Sequence, residues 1–378
     1  MASGPGPKWT GRLAHLSADV RSSSVVHRQA RWILVPLAIA LSSRLFSGGV
    51  ILGLNTFAHL DPINALAAWD GAWYLEIAQH GYHALPLQVG PPPAQYDFAF
   101  FPAWPALVGV VSAGGLDPAF VAVVLANALF LVAAVLIWRV FADRSGPAVA
   151  TAGLALLAFS PVAYVFSMTY SEPLFLVCAG LFFLTPRRPV SHGIAALLGM
   201  ASRITGAALV AAALVSAARS RRVERRSALL AAAAGATVFA IWWVAIALLV
   251  GDPLGFLRGS PSWGQVTGVH GYVVDLLHPT PRTLAWLGFG ALVVAGASLA
   301  LLRDLELGVY ALACLALCLL PGGLAHSVPR YAVVAFPAFG ALAERLGRRW
   351  TLVLLALFML GQVVFARWVF ESPIGSAP

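Results

Sequence analysis

Four ionisable side chains stand in otherwise apolar surroundings: Asp70 in Trp69-Asp70-Gly71-Ala72-Trp73-Tyr74, Glu172 in Tyr170-Ser171-Glu172-Pro173, Arg203 in Ser202-Arg203-Ile204-Thr205-Gly206, and Arg330 in Pro329-Arg330-Tyr331. A carboxylate held at a membrane surface can take the proton of an attacking hydroxyl, as a general base must. An arginine can clamp a phosphate oxygen bidentately. Each residue also has a plainer reading. Asp70 can cap the short helix that follows it, and Glu172 before Pro173 is a favourable charge at a helix start. Arg330 can snorkel to lipid headgroups. Arg203 is harder to place without a partner, which Glu172, Asp70 or a phosphate can supply. Arg44, inside the first apolar run, could be a structural pair for an acid, and its role is left unassigned. His80 and His83 have no obvious third ligand and make a weak metal site. No Walker loop, Gly-x-Gly-x-x-Gly, Gly-x-Ser-x-Gly or Asp-x-Asp sequence is present, so nucleotide-driven chemistry has no visible seat.

The elements that position these groups are membrane helices. Of 378 residues, 60% are hydrophobic and only 10% charged, with mean hydropathy +0.84, against roughly 25% charged residues in soluble domains. Apolar runs long enough to span lie at 32–53, 118–140, 148–168, 227–250, 283–302 and 350–368, with shorter ones at 172–186, 307–322 and 331–346. Cys178, Cys314 and Cys318 fall in these runs and read as buried core residues. Residues 1–31 read as a disordered basic tail, 32–370 as one transmembrane domain and 371–378 as a C-terminal tail.

Charge placement gives the chain a side. Eighteen of the 24 basic residues fall in six clusters: the tail, Arg139/Arg144, Arg187/Arg188, Arg219–Arg226, Arg303 and Arg345–Arg349. Facing all six to the cytoplasm puts 54–117, 169–171, 251–282 and 323–330 outside. The net charge of +9 then reports orientation, and no nucleic acid is expected as a partner. This parity requires 98–112 to dip in without crossing and 190–216 to be a hairpin with Arg203 near its apex. Irregular backbone and charge at membrane depth are tolerated only inside protein or beside a cavity, so an outward-facing cavity follows. The first loop, 54–97, carries Asp61, Asp70, Glu76 and Asp97 and no Lys or Arg. Within it, Ala68–Ala78 reads as a short amphipathic interfacial helix with Trp69, Trp73 and Ile77 on one face and Asp70 and Tyr74 on the next.

These motifs resemble the PIG-V-type mannosyltransferases, which include the second mannosyltransferase of glycosylphosphatidylinositol synthesis and bacterial relatives. The matches run in order: Trp69–Tyr74 with Ile77-Ala78 and Gly81-Tyr82, Phe100–Pro105, Tyr170–Phe175, Ser202–Gly206, Asp252-Pro253-Leu254 with Phe256 and Trp263, and Pro329-Arg330-Tyr331 with Phe336-Pro337. The resemblance covers about 32–368. It implies a GT-C glycosyltransferase fold of about 10–11 membrane helices, with short amphipathic helices in the first outer loop and a re-entrant or hairpin segment. It further implies a polyprenyl-phosphate-sugar donor, a lipid, glycan or protein acceptor, and no cofactor.

Carried onto matching positions, Asp70 is the catalytic base, Glu172 a second acid, and Arg203 and Arg330 the donor-phosphate residues. Trp69, Trp73, Tyr74, Tyr82 and Tyr170 are expected to line the sugar or lipid path, with Trp263, His270, Tyr272 and His326 from the later outer loops. The family's usual acid pairs are absent, so no metal is expected. An arginine-rich chain with Lys8 as its single lysine suits a bacterial plasma membrane, with the N-terminus cytoplasmic. The rival classes are a transporter or flippase of lipid-linked sugars, for which no internal repeat is evident, and a non-catalytic scaffold.

Overall fold

The computed structural model describes residues 32–54, 61–89, 94–258, 276–318 and 328–370. Its regular elements are helical. They are α1 (Trp32–Leu54), α2 (Pro62–Leu66), α3 (Asp70–His80), α4 (Ala103–Ser112), α5 (Pro118–Ser145), α6 (Pro147–Ala158), α7 (Glu172–Leu184), α8 (Pro189–Ser202), α9 (Ala207–Arg219), α10 (Arg222–Val250), α11 (Pro281–Arg303), α12 (Leu305–Cys318), α13 (Val328–Ala332) and α14 (Pro337–Phe370). Five of them, α1, α5, α10, α11 and α14, are long and apolar enough to cross a membrane. The starts follow local chemistry. Proline stands in the first turn of α2, α5, α6, α7, α8 and α11, where its missing N–H costs nothing. The side chains of Asp61, Asp117 and Thr280 accept the first free amides of α2, α5 and α11.

Helices α9, α10, α8, α7, α5, α6, α14, α11 and α12 pack in that circular order, and α12 returns to α9. The polarity of the bundle is inverted relative to a soluble protein. Leu45, Val110, Leu248 and Leu302 project outwards, while Ser160, Ser167, Thr169, Ser171, Glu172, Ser202 and Arg203 are buried. Such an outer surface is stable against lipid and not against water.

The basic clusters collect at one end. Arg144 pairs with Asp304, and Arg303 with Glu344, while Ser145 donates to Glu344 at 3.0 Å. These contacts tie the ends of α5, α11 and α14. The rings of Trp32 and Trp138 meet edge to face at 5.3 Å, bringing the start of α1 to the same place. A second group forms where Arg187 reaches Glu224 at 2.6 Å. The two groups share a side because α5 and α7 run parallel. Ser167 meets Asn127 at 2.9 Å near their beginnings, and Gly180 packs on Leu136 near their ends.

Several spans differ from expectation. The run at 148–168 is helical only to Ala158 and then breaks into turns and a 3₁₀ segment, Ala163–Phe166. Pro161 cannot continue the helix, and Arg44 donates to the carbonyls of Ala158 and Ala163 on either side of the break. Arg44 therefore has carbonyls, Ser167 Oγ at 3.0 Å and the face of Phe130 at 4.6 Å as partners, and not an acid. The runs at 331–346 and 350–368 are separate helices as expected: within α14 the chain reverses at Gly347 (φ 68°, ψ 175°), so that the rings of Phe339 and Phe358 meet at 6.4 Å, where a continuous helix would hold them about 28 Å apart. Arg330 lies on the separate short helix α13.

The hairpin is present, and the segment expected to dip is a short helix. Helix α4 has 10 residues, about 15 Å, half of a roughly 30 Å hydrocarbon core. Helices α8 and α9, of 14 and 13 residues, meet at an extended Arg203 (φ −174°, ψ 159°). A Cβ on Gly206 would lie 2.3 Å from Met200 Cα, so that reversal needs glycine.

Candidate functional site

At the end opposite the basic clusters, the four singled-out charges meet. Arg330 Nη2 lies 2.5 Å from Asp70 Oδ2, and Arg330 Nε lies 3.2 Å from Glu172 Oε1. Arg203 Nη1 reaches the same Glu172 oxygen at 2.8 Å. The result is a chain Asp70–Arg330–Glu172–Arg203 that balances its own charge. Burial is graded along it: the side chains of Glu172 and Arg203 are 2% and 6% exposed, those of Arg330 and Asp70 13% and 20%. Asp70 is the carboxylate at the mouth. The ring of Tyr331 lies under both guanidiniums, 5.0 Å from Arg203 and 4.9 Å from Arg330, and Tyr170 stacks on Arg330 at 4.9 Å. Two cations this close are held by shared carboxylate and π faces.

This geometry decides between the local readings. Asp70 is the first residue of α3, with Trp69 at the cap position and no side-chain cap hydrogen bond, so helix capping does not account for it. Arg330 is engaged by two acids and does not snorkel. Glu172 does stand in the first turn of α7, yet its carboxylate is turned to the arginines.

Asp70 is aimed by a strained turn. The amide of Gly71 donates to Ala68 O at 3.1 Å, closing a turn in which Trp69 takes φ 59°, ψ −126°. That first central position is ordinarily a glycine's, and a tryptophan there costs about 1–3 kcal/mol. The turn is fastened to the segment before α7: Thr169 N–H donates to Leu66 O at 3.1 Å, and Tyr170 O–H to Ala68 O at 3.3 Å. Trp104 Nε1–H donates to Thr169 O at 2.9 Å, which gives the dipping segment its purpose. Tyr74 O–H lies 2.9 Å from Ser171 Oγ.

The aromatic residues fall differently from expectation. Trp73, Tyr74 and Ile77 are buried in protein, with Trp73 stacked on Phe100 at 6.1 Å. Helix α3 is thus a packed element rather than an interfacial one, and Trp73 and Tyr74 face core instead of an open path. Tyr170 is 4% exposed and serves as a plate for Arg330. Trp69 is partly buried against the core. Tyr82 donates to Phe100 O at 2.8 Å and meets Trp242 of α10 edge to face. Trp263, His270, Tyr272 and His326 lie outside the described residues.

The two histidines go to separate acids, His80 to Glu76 at 3.0 Å and His83 to Asp97 at 2.9 Å. Burial of Asp97 pushes its carboxyl above its usual range, opposed by hydrogen bonds from the His83 ring and amide. Among the described residues no group of three His, Cys, Asp or Glu side chains could hold a metal ion.

Arg282, near the start of α11, was not expected from the sequence reading. Its guanidinium stacks on Trp286 at 4.5 Å, and Tyr164 lies in electrostatic contact with both Arg282 and Arg330. The signal that could have found it is an arginine at the start of a span whose other end, Arg303, carries the cytoplasmic-type charge.

Among solved structures the chain is similar in its helical fold to an archaeal oligosaccharyltransferase. The enzyme is that of Archaeoglobus fulgidus, whose apo crystal structure aligns with a TM-score of 0.52 at 12% identity, covering 90% of this chain and 56% of that one. The same enzyme with zinc and sulfate gives 0.47 at 13% identity, covering 80% and 48%, and tethered to an acceptor peptide containing the NVT sequon 0.47 at 13%, covering 90% and 56%. The chain thus spans about half the length of the structures it matches. No family model matches the sequence, and no curated protein does. The PIG-V-type likeness rests on the sequence motifs alone.

Proposed function

We propose that the protein is an integral-membrane glycosyltransferase that moves a sugar, mannose by its motif resemblance, from a polyprenyl-phosphate donor to a lipid, glycan or protein acceptor at the extracytoplasmic face of a bacterial plasma membrane. The observation that carries this reading is the contact of Asp70 with Arg330 at the mouth of the bundle, opposite the arginine clusters. In transfer, the acceptor oxygen bonds to the anomeric carbon as that carbon's bond to the phosphate oxygen breaks. Asp70 takes the hydroxyl proton, and the phosphate leaves with the electron pair. The developing charge needs a fixed positive partner in a site of low dielectric. Arg330 uses Nε and Nη2 on the acids, and its Nη1 donors are available to a phosphate oxygen. Glu172, buried between two guanidiniums, acts through them as a positioning residue, and Arg203 anchors it. The Arg330 guanidinium stands between the two carboxylates, the position that a divalent ion would otherwise take, so the reaction is read as metal-independent.

The test is transfer by purified protein in liposomes from radiolabelled polyprenyl-phosphate-mannose to a panel of lipid, glycan and peptide acceptors, with and without EDTA. Asp70→Asn is expected to lower the rate about 10²–10⁴-fold with little change in melting temperature, and EDTA to leave it unchanged. Equal rates for variant and wild type would remove Asp70 as the base. Movement of donor across the bilayer without transfer would establish the flippase class instead.

A further inference from the structure

Asp70, Glu172, Arg203 and Arg330 neutralise each other through the contacts above. Among the described residues Arg282 has no acid partner. Its Nε and Nη2 atoms are buried and without hydrogen-bond partners, and its stacking on Trp286 satisfies the face of the guanidinium but none of its in-plane donors. Buried N–H groups on a cation are costly when unmatched. They are oriented in a planar fork suited to an oxyanion.

The location is the mouth already described. Helix α11, which carries Arg282, packs against α13, which carries Arg330. An anion taken up by the Arg282 fork beside the face of Trp286 would leave both acids on Arg330. Recruiting Arg203 instead would strip Glu172 of its 2.8 Å partner deep in the protein.

Resting on the glycosyltransferase reading, we propose that Arg282 is the principal phosphate-binding residue for the lipid-linked donor, with Arg203 confined to positioning Glu172.

The probe is farnesyl phosphate, with farnesol as the phosphate-free control, measured by tryptophan fluorescence and thermal shift on the full chain in lipid nanodiscs. Wild type is expected to bind the phosphate more tightly than the alcohol. Arg282→Met, which keeps an apolar stem on Trp286, is expected to lose about ten- to a hundredfold of phosphate affinity while binding farnesol unchanged. Arg282→Lys is expected to recover part of the loss. Wild-type phosphate affinity in Arg282→Met would overturn the assignment. So would equal loss for phosphate and alcohol, which marks a structural role. Because binding is read without transfer, a chain that turns over no acceptor would sink the glycosyltransferase reading and leave the Arg282 result standing.

Discussion

At the scale of single residues, the bundle concentrates its risk in Glu172, one carboxylate serving two buried guanidiniums. Glu172→Gln removes the charge and leaves both arginines to a neutral amide. Breaking a buried pair in this way costs about 3–5 kcal/mol, read as a fall in unfolding free energy in lipid. Adding Arg203→Met is expected to return part of that loss, since the second orphaned charge goes with it. A Glu172→Gln protein as stable as wild type would mean the pair holds nothing. The sequence marks these residues because ionisable groups are scarce in an apolar chain. It does not pair them: Glu172 and Arg330 are 158 positions apart, and which acid meets which base depends on how α7 and α13 pack. Arg44 shows the same limit: no acid but the carbonyls of Ala158 and Ala163 take its guanidinium.

At the scale of elements, short irregular pieces place the site while the long helices hold it. The turn before α3 approaches the 169–170 segment so closely that a Cβ on Gly71 would stand 2.2 Å from Thr169 Oγ1. Gly71→Ala is expected to push Asp70 off Arg330 and lower transfer at least tenfold, the order of loss that small misplacements cause. Thr169→Ala removes the offending oxygen, so the double variant is expected to recover most of the activity. Failure of that rescue would show that the turn tolerates no side chain for another reason. The sequence foresaw this region as a helix rich in aromatic residues, and its 3.6-residue pattern was real. The pattern could not say whether the apolar face meets lipid or protein, because both are equally free of water. Packing on Phe100 and Trp104 settles it for protein.

At the scale of the whole molecule, the fold separates charge by function: arginine clusters with their acids at one end, the Asp70–Arg330–Glu172–Arg203 chain at the other. The expected orientation can be read by cysteine labelling in intact cells. Leu116→Cys, in the exposed link between α4 and α5, should react with an impermeant maleimide, and Arg221→Cys, at the basic end, only after permeabilisation. Reversed labelling would turn the protein over and move the chemistry to the cytoplasmic face. The native Cys178 and Cys314 are buried and should add little background.

The sequence alone determined the membrane class, the helical runs, the basic side and the four charged residues, because hydropathy and charge asymmetry are properties of composition and order. With all six basic clusters placed on one side, it also predicts a dip at 98–112 and a hairpin at 190–216. Only the tertiary structure decided which charges pair, that α3 is buried, and that Arg282 faces the same mouth. Those outcomes depend on contacts between segments more than a hundred residues apart, and no local pattern encodes the distance between them.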